Sequence, residues 1–160
     1  MDDMPSVNPT QLRAKTHQLE NMYGIALLIV DYIQLMGNDG KTDNRNQEVS
    51  ILSRSMKVLA RELNIPILCG AQLSRKVEER SEKRPILSDL RDSGSLEQDA
   101  DVVIFLHREE EKEGITEAII AKQRDGAIGT VELIFRGALM KFENAAVHFK
   151  PEPPRDYTDV

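Results

Sequence analysis

The sequence has no tryptophan, one cysteine and an aromatic content of only 4%. The lone Cys69 sits inside the apolar run ILCGA, so there is no disulfide framework, and a reducing cytoplasm suits the chain. The three histidines, His17, His107 and His148, stand far apart with no cysteine beside them, which argues against a zinc site. No apolar run approaches the ~20 residues of a membrane span, so no membrane partner is expected. The opening residues MDDMPSVNPTQ are too acidic and polar for a secretory signal. Positive charge is also in short supply. A net charge of −6 speaks against non-specific nucleic-acid binding by the surface as a whole.

What remains is a chain of 160 residues, 40% hydrophobic and 30% charged, enough for one soluble domain with a real core. Against the acidic background, RKVEERSEKR at residues 75–84 carries five positive and three negative side chains. Taken alone, it reads as a solvated mixed-charge helix or loop in preference to a local basic patch.

Asn8-Pro9-Thr10-Gln11 predicts a helix start, with Asn as cap, Pro at the first helical position and Gln11 as the capping-box partner. Leu12, Leu19 and Met22 predict its apolar stripe, and Gly24 its stop. Residues 25–30 are continuously apolar, as in a parallel strand covered on both faces. Residues 37–46 are polar and turn-rich and predict a loop. Val49, Leu52, Met56, Leu59 and Leu63 recur at steps of three and four, the pattern of an amphipathic helix. Residues 65–71 and 102–106 predict further buried strands, and residues 95–98 a short capped helix. Residues 115–123 and 130–135 predict a hairpin around Asp125-Gly126, and residues 139–142 a last short strand. The sum is an α/β domain over residues 1–146, with a mainly parallel sheet and antiparallel edge strands, followed by a flexible tail over residues 147–160.

Such sheets bind ligands beyond the carboxyl ends of their strands, where Asp31 and Gln72 fall. A carboxylate in that place can hold a hydrated magnesium ion beside nucleotide phosphates; an Asp that merely caps a turn explains it equally. The neighbouring Gly40-Lys41-Thr42 is no phosphate loop, because that motif needs a glycine five residues before Gly40 and Leu35 stands there. Gln72 is placed to sense a phosphate or simply to satisfy loose backbone groups. Lys122 and Arg124 are two apart on an expected strand, hence on one face, and suit either a phosphate of a neighbouring subunit or an ordinary exposed hairpin end. In Arg91-Asp92-Ser93-Gly94, glycine permits close backbone approach and the following helix start favours phosphate; a capped turn explains the same letters.

Four segments, LLIVDYIQLM, ILCGAQLSRKVEER, RPILSDLRDSGSLEQDADVVIFLHRE and IIAKQRDGAIGTVELIF, occur in this order. Together they resemble the C-terminal motor domain of the bacterial replicative DNA helicase, the DnaB family, over residues 3–144. The resemblance implies a RecA-like P-loop NTPase core that uses ATP and Mg2+. Asp31 would be the Walker B carboxylate, meeting the metal through water, and Gln72 the sensor that couples nucleotide state to DNA. Lys122 and Arg124 would reach the ATP of the adjacent subunit. Arg75, Arg91, Asp92 and Gly94 would contact the backbone of single-stranded DNA; the family usually carries glutamate where this chain has Asp92. It also implies a homo-oligomeric ring, a hexamer moving 5′ to 3′, with a primase and a helicase loader as partners. The family's phosphate loop and catalytic glutamate lie upstream of residue 1, so the 160-residue chain alone is expected to hydrolyse no ATP. Two other readings remain open: a RecA-like recombinase ATPase, against which the KQRDG segment argues, and a non-catalytic assembly or DNA-binding module.

Overall fold

The computed structural model describes residues 7–37, 45–93, 95–108, 114–145 and 150–151. The chain divides into two compact units, Met1–Lys76 with Ser88–Ala100, and Val77–Leu87 with Asp101–Val160.

The first unit begins with helix α1, Pro9–Tyr23. Its capping box is as expected: Gln11 N–H donates to Asn8 Oδ1 at 2.7 Å, and Asn8 N–H to Gln11 Oε1 at 3.2 Å. Gly24 ends the helix at φ +64°, a conformation that favours glycine. The expected apolar stripe is only partly right. Leu12 packs on the core, but Leu19 and Met22 are exposed. The buried position is Thr16, at 2% exposure, whose hydroxyl donates to the Leu12 carbonyl at 2.7 Å. That local bond removes the cost of burying the hydroxyl, so a polar letter concealed an inward position.

Strand β1, Leu28–Val30, pairs in parallel with β2, Ile67–Cys69. Between them, in chain order, come a 3-10 turn, Ile33–Leu35, and helix α2, Arg45–Leu63. Most of the expected loop, residues 38–44 with Gly40-Lys41-Thr42, lies outside the described residues. Val49, Leu52, Met56 and Leu59 of α2 are buried, as the spacing requires, while Leu63 is half-buried. The helix stops at Asn64, which takes the left-handed conformation at φ 52°. Ile33, Met36, Val49, Leu52 and Met56 form the core, with Leu12, Val30, Ile67, Cys69 and Leu96 packed against it. Each of the five buried side chains contributes about 1.5–3 kcal/mol. The expectation that β1 and β2 are covered on both faces is not met. Ile29 is 61% and Leu68 58% exposed on the side away from this core, because α2 covers only one face of the pair. A short helix α3, Lys76–Glu79, a 3-10 segment, Leu87–Ser93, and α4, Ser95–Asp99, interrupt the charged stretch.

The second unit is an antiparallel sheet in the order β3-β4-β5-β6, with β7 pairing β5. Its strands are β3 Val102–His107, β4 Ile115–Gln123, β5 Gly129–Arg136, β6 Lys141–Asn144 and β7 Lys150–Pro151. The β4–β5 hairpin is as expected. β3 is not a strand buried on both faces: Val103 and Phe105 are buried, whereas Val102, Ile104 and Leu106 are exposed. Apolar continuity could not distinguish a two-sided strand from one with a single packed face. The α/β class is as expected, and the antiparallel part is larger than an edge. A 3-10 turn, Gly137–Leu139, precedes β6, which starts two residues later than expected. Phe135 stands opposite Phe142 in register, with ring centroids 4.8 Å apart. Residues 150–151, within the stretch expected as tail, pair with β5; residues 152–160 lie outside the described ones.

Candidate functional site

The parallel register aligns Val30 with Cys69, so the next residue of each strand, Asp31 and Gly70, emerges at the same carboxyl end. The ladder runs past the strands: Gly70 N–H donates to the Val30 carbonyl at 2.8 Å, and Ile33 N–H to the Gly70 carbonyl at 3.0 Å. Asp31 is exposed. Gly70 lies close against the segment that follows β1. A Cβ there would lie 3.3 Å from Tyr32 Cβ and 3.5 Å from Asp31 Oδ1. Glycine therefore keeps the space beside the carboxylate open.

Gln72 follows two residues on, also exposed. Its backbone is held by Gln34, a residue that sequence reasoning did not single out. Gln72 N–H donates to Gln34 Oε1 at 3.2 Å, and Gln34 Nε2 donates to the Gln72 carbonyl at 3.3 Å. One amide side chain thus takes the place that a further strand residue would occupy, and ties the segment after β2 to the segment after β1. The only sequence signal was its place in DYIQL, since the partner lies 38 residues away.

Arg75 is exposed, one residue before α3. The preceding Ser74 N–H donates to the Asp89 carbonyl at 3.1 Å, and Asp89 is buried at 5% exposure. Arg91 and Asp92 belong to the 3-10 segment Leu87–Ser93; Gly94 lies outside the described residues. Within the first unit the fold therefore brings Asp31 and Gln72 to one strand end. It ties the backbone beside Arg75 to the segment that carries Arg91 and Asp92.

Lys122 and Arg124 belong to the second unit. They do not share a strand face by simple alternation. β4 ends at Gln123, so Arg124 lies in the turn beyond it. The β3–β4 register also shifts between Val103 and Ile104, leaving Ala121 without a register partner. Lys122 stands opposite Val103; the extra residue re-aims the strand end, as bulges do. Arg124 is placed by Asp101, the residue before β3. Its backbone N–H donates to the Asp101 carbonyl at 3.0 Å, and its Nε lies 3.3 Å from Asp101 Oδ1. Both side chains are about half exposed, at 49% and 58%, so this contact orients more than it stabilises.

Among the described residues no group of three His, Cys, Asp or Glu side chains could hold a metal ion. Asp31 therefore belongs to no such cluster among the described residues. Cys69, on the core side of β2, has its thiol pushed up to about 11 by burial, so it is an inert packing residue at neutral pH. No described helix is long and apolar enough to cross a membrane.

Comparison with known proteins gives one consistent result. Residues 1–144 match the family model of the DnaB-like helicase C-terminal domain. The replicative DNA helicase DnaB of Geobacillus stearothermophilus is 47% identical over 156 residues, covering 93% of this chain and 34% of the relative. The replicative DNA helicase DnaC of Bacillus subtilis (strain 168) is 46% identical over 156 residues, with the same shares. Among solved structures, the ATPase domain of G40P superimposes with a TM-score of 0.82 at 41% identity, covering 88% of this chain and 52% of that one. A DnaB-like replicative helicase, solved with its interactions with primase, gives 0.84 at 41% identity, covering 90% and 36%. The chain spans about a third of the length of these curated relatives.

Proposed function

The chain belongs to the DnaB-like helicase C-terminal domain family, and from that premise we propose that it is the nucleotide-sensing and DNA-contacting part of an ATP-driven replicative helicase motor. The observation that carries this reading is the shared strand end where Asp31 and Gln72 emerge, with Gly70 keeping the space open and Gln34 fixing the Gln72 backbone.

Magnesium keeps most of its waters and is usually held by one or two carboxylates. An exposed Asp31 beside a glycine fits that demand. When bound, Mg-ATP supplies the free energy of hydrolysis, and the metal neutralises charge on the phosphates. Asp31 orients the hydrated ion. Gln72, its backbone fixed by Gln34, would offer its amide to the phosphates and couple their presence to the segment that begins at Leu73. Arg75, Arg91, Asp92 and Gly94 lie along the chain that follows and hold the DNA backbone without reading bases, so binding weakens with salt. Lys122 and Arg124 act in trans on nucleotide bound by an adjacent copy. Head-to-tail contacts of that kind close into a ring, a hexamer, with primase and loader as further partners in the cytoplasm.

The phosphate-loop motif has no match in these 160 residues, and the expected outcome is that this stretch hydrolyses no ATP unaided. The exposed Ile29 and Leu68 fit a sheet face that other polypeptide covers. The test joins this chain behind the upstream portion of the Geobacillus stearothermophilus relative and measures ATP hydrolysis and unwinding. Arg124→Ala should lower hydrolysis about 10³-fold or more, the range for a trans-acting arginine, and Asp31→Asn should abolish it. Hydrolysis indifferent to Arg124 would refute the ring arrangement. Turnover by the unaided chain that Asp31→Asn removes would refute its dependence on other polypeptide.

A further inference from the structure

Resting on that reading, we infer that Arg84 is a positioning residue: it staples the charged segment between the two DNA-contacting stretches onto the strand that carries Lys122. Arg84 Nε lies 3.1 Å from Glu117 Oε2, and Arg84 Nη2 donates to Thr130 Oγ1 at 2.8 Å. Glu117 is two residues before Ile119, which stands opposite Thr130. Glu117 and Thr130 are therefore diagonal neighbours on one face of β4–β5, and the planar guanidinium fork spans both strands at once.

The staple is less exposed than the Arg13–Glu62 and Arg136–Glu143 ion pairs. Arg84 and Glu117 are 23% and 17% exposed, against 61% for Arg13 and 58% for Arg136 in their pairs. Exposed pairs of the latter kind contribute little; a half-buried, charge-assisted bond from a fork is geometrically specific. The segment offers little apolar side chain of its own to pack. In RKVEERSEKR only Val77 is apolar. The loop is pinched at its base, where Arg80 Nη2 donates to the Arg84 carbonyl at 3.1 Å, while Ser81, Glu82 and Lys83 are exposed and Pro85 is buried. Arg84 thus fastens the base of the loop to the sheet.

The consequence is mechanical. The stapled segment follows Arg75 directly and leads into Leu87–Ser93, where Arg91 and Asp92 lie. β4 is bonded to β3 and β5 on either side, so it moves as a piece, and it carries both Glu117 and Lys122. A shift of the strand end that answers nucleotide is passed to the connector of the DNA-contacting stretches through Arg84.

The test uses the 160-residue chain, a labelled oligo(dT) and a glutamate-specific protease. Glu117→Ala deletes a negative charge, so simple Coulomb attraction predicts tighter DNA binding, whereas loss of positioning predicts weaker binding. The expected result is affinity lower by about 3–10-fold, since ordering lost from the free protein must be supplied on binding. Cleavage after Glu78, Glu79 and Glu82 should quicken about 10-fold through easier local opening. Arg84→Ala should behave alike, and the charge-reversed pair Arg84→Glu with Glu117→Arg should regain protection and binding. The regained protection separates a lost contact from a failed fold. Unchanged cleavage in Glu117→Ala would overturn the staple. Faster cleavage with unchanged or tighter DNA binding would overturn the positioning role. A wild-type chain that binds no oligo(dT) at low salt, yet shows the expected cleavage pattern, would instead overturn the DNA-contacting reading and the positioning role with it.

Discussion

Replacing Gln34 with methionine, similar in length and shape, removes both ties to the Gln72 backbone and leaves every proposed functional residue in place. The lost bonds are 3.2 and 3.3 Å long and reach the surface, so each falls at the low end of the ~0.5–1.5 kcal/mol net value of a hydrogen bond. Together they amount to about 1 kcal/mol of local opening free energy. Since 1.4 kcal/mol is a factor of ten, the Gln72 amide should exchange with solvent deuterium about fivefold faster. Gln34→Glu keeps an acceptor for the Gln72 N–H but sets a carboxylate oxygen against the Gln72 carbonyl, so it should exchange faster still. Amides in the middle of α2 report global opening and serve as the internal control. Hydrogen exchange followed by NMR at several pH values gives the rates. An unchanged Gln72 rate in both variants would refute the clamp. Equal acceleration at Gln72 and in α2 would show that Gln34 stabilises the whole unit and positions nothing in particular.

Leu52→Ala should cost about 2–5 kcal/mol in urea unfolding, because Leu52 is 0% exposed at the centre of the first unit's core and its loss leaves a cavity. A loss below 1 kcal/mol would mean that this core is not closed as described. Cys69 should resist alkylation at pH 7 and react faster as pH rises toward about 11. Its pKa is higher in the folded chain than in the unfolded one, so its contribution to stability is fully present below the ordinary value and lost as pH climbs through the folded one. Rapid labelling at pH 7 with the fold intact would place the thiol outside the apolar layer.

Much of the architecture is written in short stretches. The Asn8–Gln11 box, the Gly24 stop and the spacing of Val49, Leu52, Met56 and Leu59 each act over a few residues, and each appears in the fold as the letters imply. Asp31 and Gln72 were legible because a continuous apolar run ends at each. The four segments shared with the helicase family carried the resemblance that the comparisons bear out. Thr16 was illegible because a hydroxyl bonded to its own helix buries as quietly as a methyl group. Arg124 was assigned to a strand that stops one residue short of it, since the β-bulge and the Asp101 contact that shape that end leave no trace in alternation.

The sequence by itself determined the order and kind of most elements, the inward face of α2 and the family, because capping, periodicity and apolar runs are local and need no knowledge of where the chain returns. Only the tertiary structure decided that Gln34 holds Gln72, that Arg84 bridges Glu117 and Thr130, and that Ile29 and Leu68 are left facing outward. Those pairings join positions 38, 33 and 46 residues apart. A long loop closes only when the folded core returns its energy, and one sequence gives no sign of which distant polar side chain will be waiting there.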